Sequence, residues 1–194
     1  KGWHDPGRNP LLRDQATIRF LARSNGRLVG RIMGLVHKGY NASHNERTAR
    51  FYQLEAIDDQ DVVRLLLSRA EAWAREQGMD RIIGPFGLSD KDPQGMQVEG
   101  FEHLPVIATP TNPTYLPALV EALGYAKHAD CLSYRMAVPE TVPERYERVA
   151  QHVLRSEGLT VKTFKDRKEL KRWIVPVLEL VNNTYTELLG FVPM

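Results

Sequence analysis

The chain is 194 residues long with 42% hydrophobic side chains, enough to bury a sizeable core in one ordinary domain, or in one domain and part of a second. Its 26 basic and 24 acidic residues are interspersed and leave a net charge of +2, which excludes a gross electrostatic bias toward nucleic acid or a membrane surface. A single cysteine, Cys131, excludes an internal disulfide framework or a multi-cysteine metal site and fits a reducing, cytoplasmic setting.

Residues 1–14 are rich in Gly, Pro, Asp and Arg and read as an irregular lead-in held down by Trp3 and Leu11–Leu12. Because the sequence starts at Lys1 rather than Met, a trimmed terminus is expected. Thr17–Ala22 reads as a strand, Ser24-Asn25-Gly26-Arg27 as a hairpin turn, and Leu28–Val36 as the returning strand, where Gly30 and Gly34 suggest a bulge or a crowded backbone. A polar connection, His37–Thr48, leads to an apolar strand, Phe51–Ile57. Simple alternation places Tyr52, Leu54 and Ala56 on one face of it and Phe51, Gln53, Glu55 and Ile57 on the other.

An amphipathic helix follows directly. Val62, Leu66, Ala70 and Trp73 share a face with Val63, Leu67 and Ala74 beside them, Asp58 and Asp59 are candidate N-caps, and Gly78 stands where a C-terminal glycine belongs. Met79–Gly84 is then a short strand, so strand, helix and strand form a parallel crossover within a mixed sheet. Residues 84–117 are dense in Gly and Pro, but Phe86, Met96, Phe101 and Ile107 argue for an ordered wall or lid. Tyr115–Leu123 reads as a short helix ending at Gly124, and Cys131–Val138 as a last strand, with Cys131 as a core thiol. Thr141-Val142-Pro143-Glu144 is a capping box opening a helix to about Ser156. Leu159–Phe164 alternates like a strand, Asp166 caps a helix, and Pro176 is expected to kink or restart it.

The hairpin, the crossover and the Asn112-Pro113-Thr114-Tyr115 … Leu123-Gly124-Tyr125 segment together resemble a GNAT-type N-acetyltransferase. Gly84-Pro85-Phe86-Gly87-Leu88-Ser89-Asp90-Lys91-Asp92-Pro93-Gln94-Gly95 with Val98–Glu102 is similar to a poorly characterised bacterial group with GNAT-like domains. The resemblance covers about residues 9–138. It implies an α+β (α/β) fold: a mixed, mostly antiparallel central sheet flanked by helices. The expected division is a GNAT-like domain over 1–138, a helical connector over 139–158, and a strand–helix unit over 159–194. That last unit starts a second copy, or completes the first as a permuted or exchanged element, the latter predicting a homodimer.

The resemblance further implies that acetyl-CoA docks in a V-shaped opening between Phe51–Ile57 and Met79–Gly84. There Leu54, Ala56, Ile57 and Asn112 would contact the donor, and the acyl group would pass to a small-molecule amine, with no nucleic-acid or membrane partner. A strand leading into a helix N-terminus is also a natural anion site on physical grounds. Yet the turn Asp58-Asp59-Gln60-Asp61 lacks the glycines of a phosphate nest, and each carboxylate there opposes a diphosphate by about 1 kcal/mol.

Glu55 is the candidate general base, because a strand carboxylate can take a proton from an ammonium through water; the alternative is a strand carboxylate paired with Arg50 or Arg31. The tyrosine that the family uses as general acid would fall at Val120, which leaves Tyr115, one turn earlier, as the substitute. In the Asp90–Gly95 loop, Lys91 and Gln94 are candidate donors to a polar substrate, or parts of a tight turn. His37, His44 and His103 with Asp90 or Asp92 lack metal-ligand spacing, so no metal is expected. Two functions remain open: an acyl-CoA-dependent N-acyltransferase, or a catalytically degenerate module of the same fold that binds a small ligand or a protein partner.

Overall fold

The structure is a computed structural model that describes residues 2–156, 158 and 160–193. It divides into two compact units, one formed by residues up to 130 together with 185–193, the other by residues 131–184.

The first unit is built on a four-stranded sheet in the order β1 (Ala16–Ser24), β2 (Arg27–Val36), β3 (Thr48–Ala56), β4 (Arg81–Ile83). The first two pairings are antiparallel and β3/β4 is parallel, so the chain is a mixed α+β protein with a mostly antiparallel sheet. The β1–β2 hairpin turns through Asn25 and Gly26, both at positive φ, as a two-residue turn matched to strand twist demands. Between β2 and β3 the expected polar connection is instead interrupted by a short helix, α1 (Lys38–His44). Its caps are unusual enough to hide it: the His37 ring accepts from the Tyr40 N–H at 3.0 Å, and Asn45 closes the other end at φ 51°.

Helix α2 (Gln60–Glu76) buries Val63, Leu66, Leu67, Ala70, Trp73 and Ala74, the predicted face. It lies so close to β2 that a Cβ on Gly30 would sit 2.8 Å from Leu66 Cδ1, and one on Gly34 2.8 Å from the Trp73 ring. These glycines mark a crowded backbone, as the sequence suggested. The opposite sheet face is closed by a smaller cluster of Leu12, Met33, Leu35 and Leu88, with Trp3 and Tyr52 packed against it. The lead-in therefore acts through Trp3 and Leu12, while Leu11 points to solvent.

One expectation fails within β3 itself. Gln53 adopts φ 51°, and the β2/β3 register jumps from Tyr52↔Met33 to Glu55↔Arg31, so two residues oppose one. This bulge shifts the alternation by one residue. Phe51 and Leu54 consequently share the α2 side of the sheet, and simple alternation put them on opposite faces.

The wall over 84–115 has no regular element before the short helix α3 (Leu116–Glu121). Phe86 and Leu88 are buried and Met96 packs on the main core, but Phe101 and Ile107 are exposed, contrary to the packing expected of them. Residues 185–193 return to this unit: Phe191 is buried, and Gly190 at φ 76° passes so close to the Phe86 ring that a Cβ would lie 1.9 Å from it.

The second unit holds α4 (Glu144–Ser156) and α5 (Arg167–Thr184). Asp166 caps α5 by accepting from the Glu169 N–H at 2.8 Å, and of the kink or restart expected at Pro176 the restart does not occur, the helix running on through it. Cys131–Val138 is not a strand: the segment is irregular and exposed throughout, Cys131 included, so the core-thiol reading is also corrected. Of the expected strand Leu159–Phe164, Leu159 lies outside the described residues and 160–164 form no strand. Alternating apolar residues need a neighbouring edge to pair with, and none of the described residues of this unit is buried.

Candidate functional site

β3 and β4 pair over only Thr48↔Arg81 to Arg50↔Ile83. One further bond, Phe86 N–H to Phe51 C=O at 2.8 Å, holds the chain leaving β4, and beyond it β3 continues toward α2 paired with β2 only. A cleft of about 590 Å³ opens along this free stretch, floored by β2 and β3 and walled by prolines 85, 93, 110 and 113 and by Met96. Leu54, Glu55, Ala56, Ile57, Asn112 and Tyr115 all line it. The strand divergence thus gathers the expected donor contacts and both catalytic candidates into one place.

Lys91 and Gln94 do not line it. Lys91 Nζ pairs with Asp90 at 2.8 Å and lies over the Phe191 ring at 5.0 Å, while Gln94 is half-buried and its carbonyl oxygen has no partner among the described residues. The loop is organised instead by Asp92, whose Oδ2 accepts from the Leu88 and Ser89 N–H groups at 2.7 and 3.3 Å.

Glu55 is paired across the strands with Arg31 at 2.6 Å and its side chain is 64% exposed. Among the partners considered, Arg31 rather than Arg50 takes it, and the burial invoked for a general base is absent. The Tyr115 hydroxyl donates to the Ala56 carbonyl at 2.8 Å, tying the start of α3 to the end of β3. The Ile57 N–H is used by the Val29 carbonyl at 2.9 Å.

The helix N-terminus beside the cleft already holds an anion, the protein's own. Asp59 is the N-cap, and its Oδ1 accepts from the Asp61 and Val62 N–H groups at 2.8 and 3.3 Å. Asp61 pairs with Arg64. A ligand phosphate would have to displace a side chain from donors that it satisfies.

Sequence reasoning named Arg50 only as a possible partner for Glu55. It is buried, its guanidinium lies between the Tyr40 and Phe86 rings at 4.6 and 4.4 Å from their centroids, and Nη1 donates to the Gly87 and Leu88 carbonyls at 2.9 and 3.3 Å. Burial brings it down to about 10, so it stays charged at neutral pH. His37 nearby is pushed down to about 4, first by burial and then by the Arg50 charge, which keeps its ring the neutral acceptor that caps α1. An Arg in an apolar strand was the available signal.

A second hollow, of about 380 Å³, lies by the C-terminal end of α2. Its polar side chains are already committed: Tyr125 to Glu71 at 2.9 Å, Glu71 to Arg75, Asp80 to Arg47 and Arg81 to Glu46. It offers a ligand little. Among the described residues, no His, Cys, Asp and Glu side chains gather as a metal site would require, and no helix is long and apolar enough to cross a membrane.

No family model matches the chain, and no solved structure matches it. It is 30% identical over 190 residues, 97% of its length, to a protein named "Bacterial ceramide synthase" from Caulobacter vibrioides, of which it covers 49%. It is 29% identical over 175 residues, 90% of its length, to "Protein YghO" from Escherichia coli K12, of which it covers 44%. The chain thus spans about half the length of the curated relatives it matches.

Proposed function

We propose that this chain carries the donor cleft of an N-acyltransferase with a GNAT-type fold, which moves an acyl group from a CoA thioester to the amine of a long-chain amino alcohol. What carries the reading is the cleft at the β3/β4 divergence: it is floored by free strand, walled by apolar residues, and has Glu55 and Tyr115 on its rim. The acceptor class is suggested by the relative named as a ceramide synthase, since a ceramide is the N-acyl amide of such an amine.

In this reading the amine nitrogen attacks the thioester carbonyl, the C–N bond forms, and the C–S bond breaks to release the CoA thiol. Glu55 receives the ammonium proton through water, with Arg31 holding its carboxylate in place. The Tyr115 hydroxyl, whose proton the Ala56 carbonyl accepts in this structure, turns from that carbonyl to protonate the leaving sulfur and regains a proton from water. The donor's diphosphate lies outside the helix N-terminus that Asp59 fills. Lys91 and Gln94 take no part in the cleft.

Calorimetric titration with acetyl-CoA and long-chain acyl-CoA, followed by mass spectrometry for amide formed with a long-chain amine, tests the reading. It fails if no CoA thioester binds at high micromolar concentration and no amide forms. That result favours the second reading, a degenerate module of this fold, for which the self-capped helix start is the specific support. Stabilisation in a thermal-shift screen by other metabolites, but not by CoA thioesters, would then identify its ligand.

A further inference from the structure

Between Met96 and Thr109, both on the cleft rim, the chain leaves the body of the first unit and returns. The two ends of this excursion are closed by Asn112, whose Oδ1 accepts from the Gln97 N–H at 2.8 Å and whose Nδ2 donates to the Gln97 carbonyl at 3.1 Å. Residues 98–111 therefore form a loop with a fixed base and its own turns, His103 N–H to Gly100 C=O at 3.0 Å and Thr109 N–H to Val106 C=O at 3.1 Å.

The tip is apolar and bare. Leu104 and Ile107 are 95% and 93% exposed, and Val98, Phe101 and Val106 are exposed with them. Leaving such a cluster in water is unfavourable unless something covers it. Residues 97–112 contain no Lys or Arg, only Glu99, Glu102 and His103, so attraction to an acidic partner is not what the loop is made for. Glu102 and His103 pair with each other at 3.3 Å.

We propose that the tip of the 98–111 loop inserts into the interface of a lipid bilayer and so brings the cleft mouth to the surface where a membrane-dissolved amine resides. The choice of a lipid surface rests on the acceptor proposed above, because a long-chain amino alcohol partitions into bilayers and is scarce as a free monomer in water. The base clasp by Asn112 keeps the inserted tip and the cleft in a fixed relation. Net charge near zero argues against electrostatic recruitment but does not oppose apolar insertion, for which side chains such as Leu104 and Ile107 suffice.

The test is sedimentation of the full-length protein with phosphatidylcholine vesicles, and again after adding phosphatidylserine. The protein is expected to pellet with neutral vesicles and to gain nothing from the anionic lipid. A Leu104→Ser, Ile107→Ser double variant, with an unchanged thermal transition, is expected to lose binding about tenfold. Three results would overturn the inference: no pelleting at millimolar lipid, equal binding by the double variant, or binding only to anionic vesicles. Transfer to a short, water-soluble amine is measured alongside. If transfer occurs without vesicle binding, the loop inference falls and the acyltransferase reading stands; if binding occurs without transfer, the reverse holds.

Discussion

Asn112 grips the backbone of Gln97, fifteen residues earlier, through both ends of its side-chain amide, at 2.8 and 3.1 Å. That pair makes an ordered rim from a stretch otherwise without secondary structure. Asn112→Ala removes both bonds and is expected to cost about 1–2 kcal/mol. Amide exchange over 97–111 should speed up while α2 stays protected. Asn112→Asp keeps the acceptor for Gln97 N–H but loses the donor, and should fall between. Unchanged exchange in Asn112→Ala would mean that the loop is held from elsewhere.

Arg50 holds another part of the wall. Its Nη1 donates to the carbonyls of Gly87 and Leu88 while its faces lie over Tyr40 and Phe86, so one side chain joins β3, α1 and the start of the loop. Arg50→Ala leaves those carbonyls and a cavity, at a cost of about 3 kcal/mol or more. Arg50→Lys retains charge but not the planar fork, and is expected to lose about 1–2 kcal/mol in denaturant unfolding. Equal stability of Lys and Arg at this position would show that charge alone matters.

The organisation of β3 explains how far the sequence could be read. The hairpin, the α2 face and the strand–helix–strand crossover were legible because their apolar periods are local and uninterrupted. The Gln53 bulge was not, since its positive φ is imposed by pairing with β2 rather than by a glycine. Glu55 was named from its place on the strand and Tyr115 and Asn112 from the family resemblance, and all three line the cleft, whereas Arg31 and Arg50, whose roles depend on partners 24 and 37 residues away, were not singled out as site residues. Lys91 and Gln94 stand outside the cleft lining, and a polar turn looks the same in sequence whether it faces a ligand or the protein. Cys131–Val138 carries a strand's alternation but pairs with no strand among the described residues.

His37 gives a pH signature. Its ring is pushed down to about 4 in the folded chain, against an ordinary value of 6.5. Between those values the unfolded chain binds the proton and the folded one does not, so stability present above pH 6.5 is lost as pH falls toward 4. The loss is on the order of 2 kcal/mol. Urea midpoints measured from pH 7 to pH 4 should decline in the wild type beyond any decline in His37→Asn, which caps α1 without titrating. Parallel curves would remove His37 as the cause.

Tyr115 separates structural from chemical work at the rim. Its hydroxyl bridges to the Ala56 carbonyl at 2.8 Å, so Tyr115→Phe loses that bond and about 1 kcal/mol of stability whatever the protein does. If the hydroxyl also serves the leaving thiol, the substitution lowers kcat by about 10²-fold while KM for the donor stays near its original value. A purely structural tyrosine predicts a lower Tm with kcat nearly intact, because the phenyl ring still fills the space beside Leu116. Measuring kcat, KM and Tm on the same preparation distinguishes the two, and Glu55→Gln supplies the companion test. Loss of the base should flatten the acidic limb of the kcat pH profile, whereas loss of a surface ion pair with Arg31 should leave that profile unchanged.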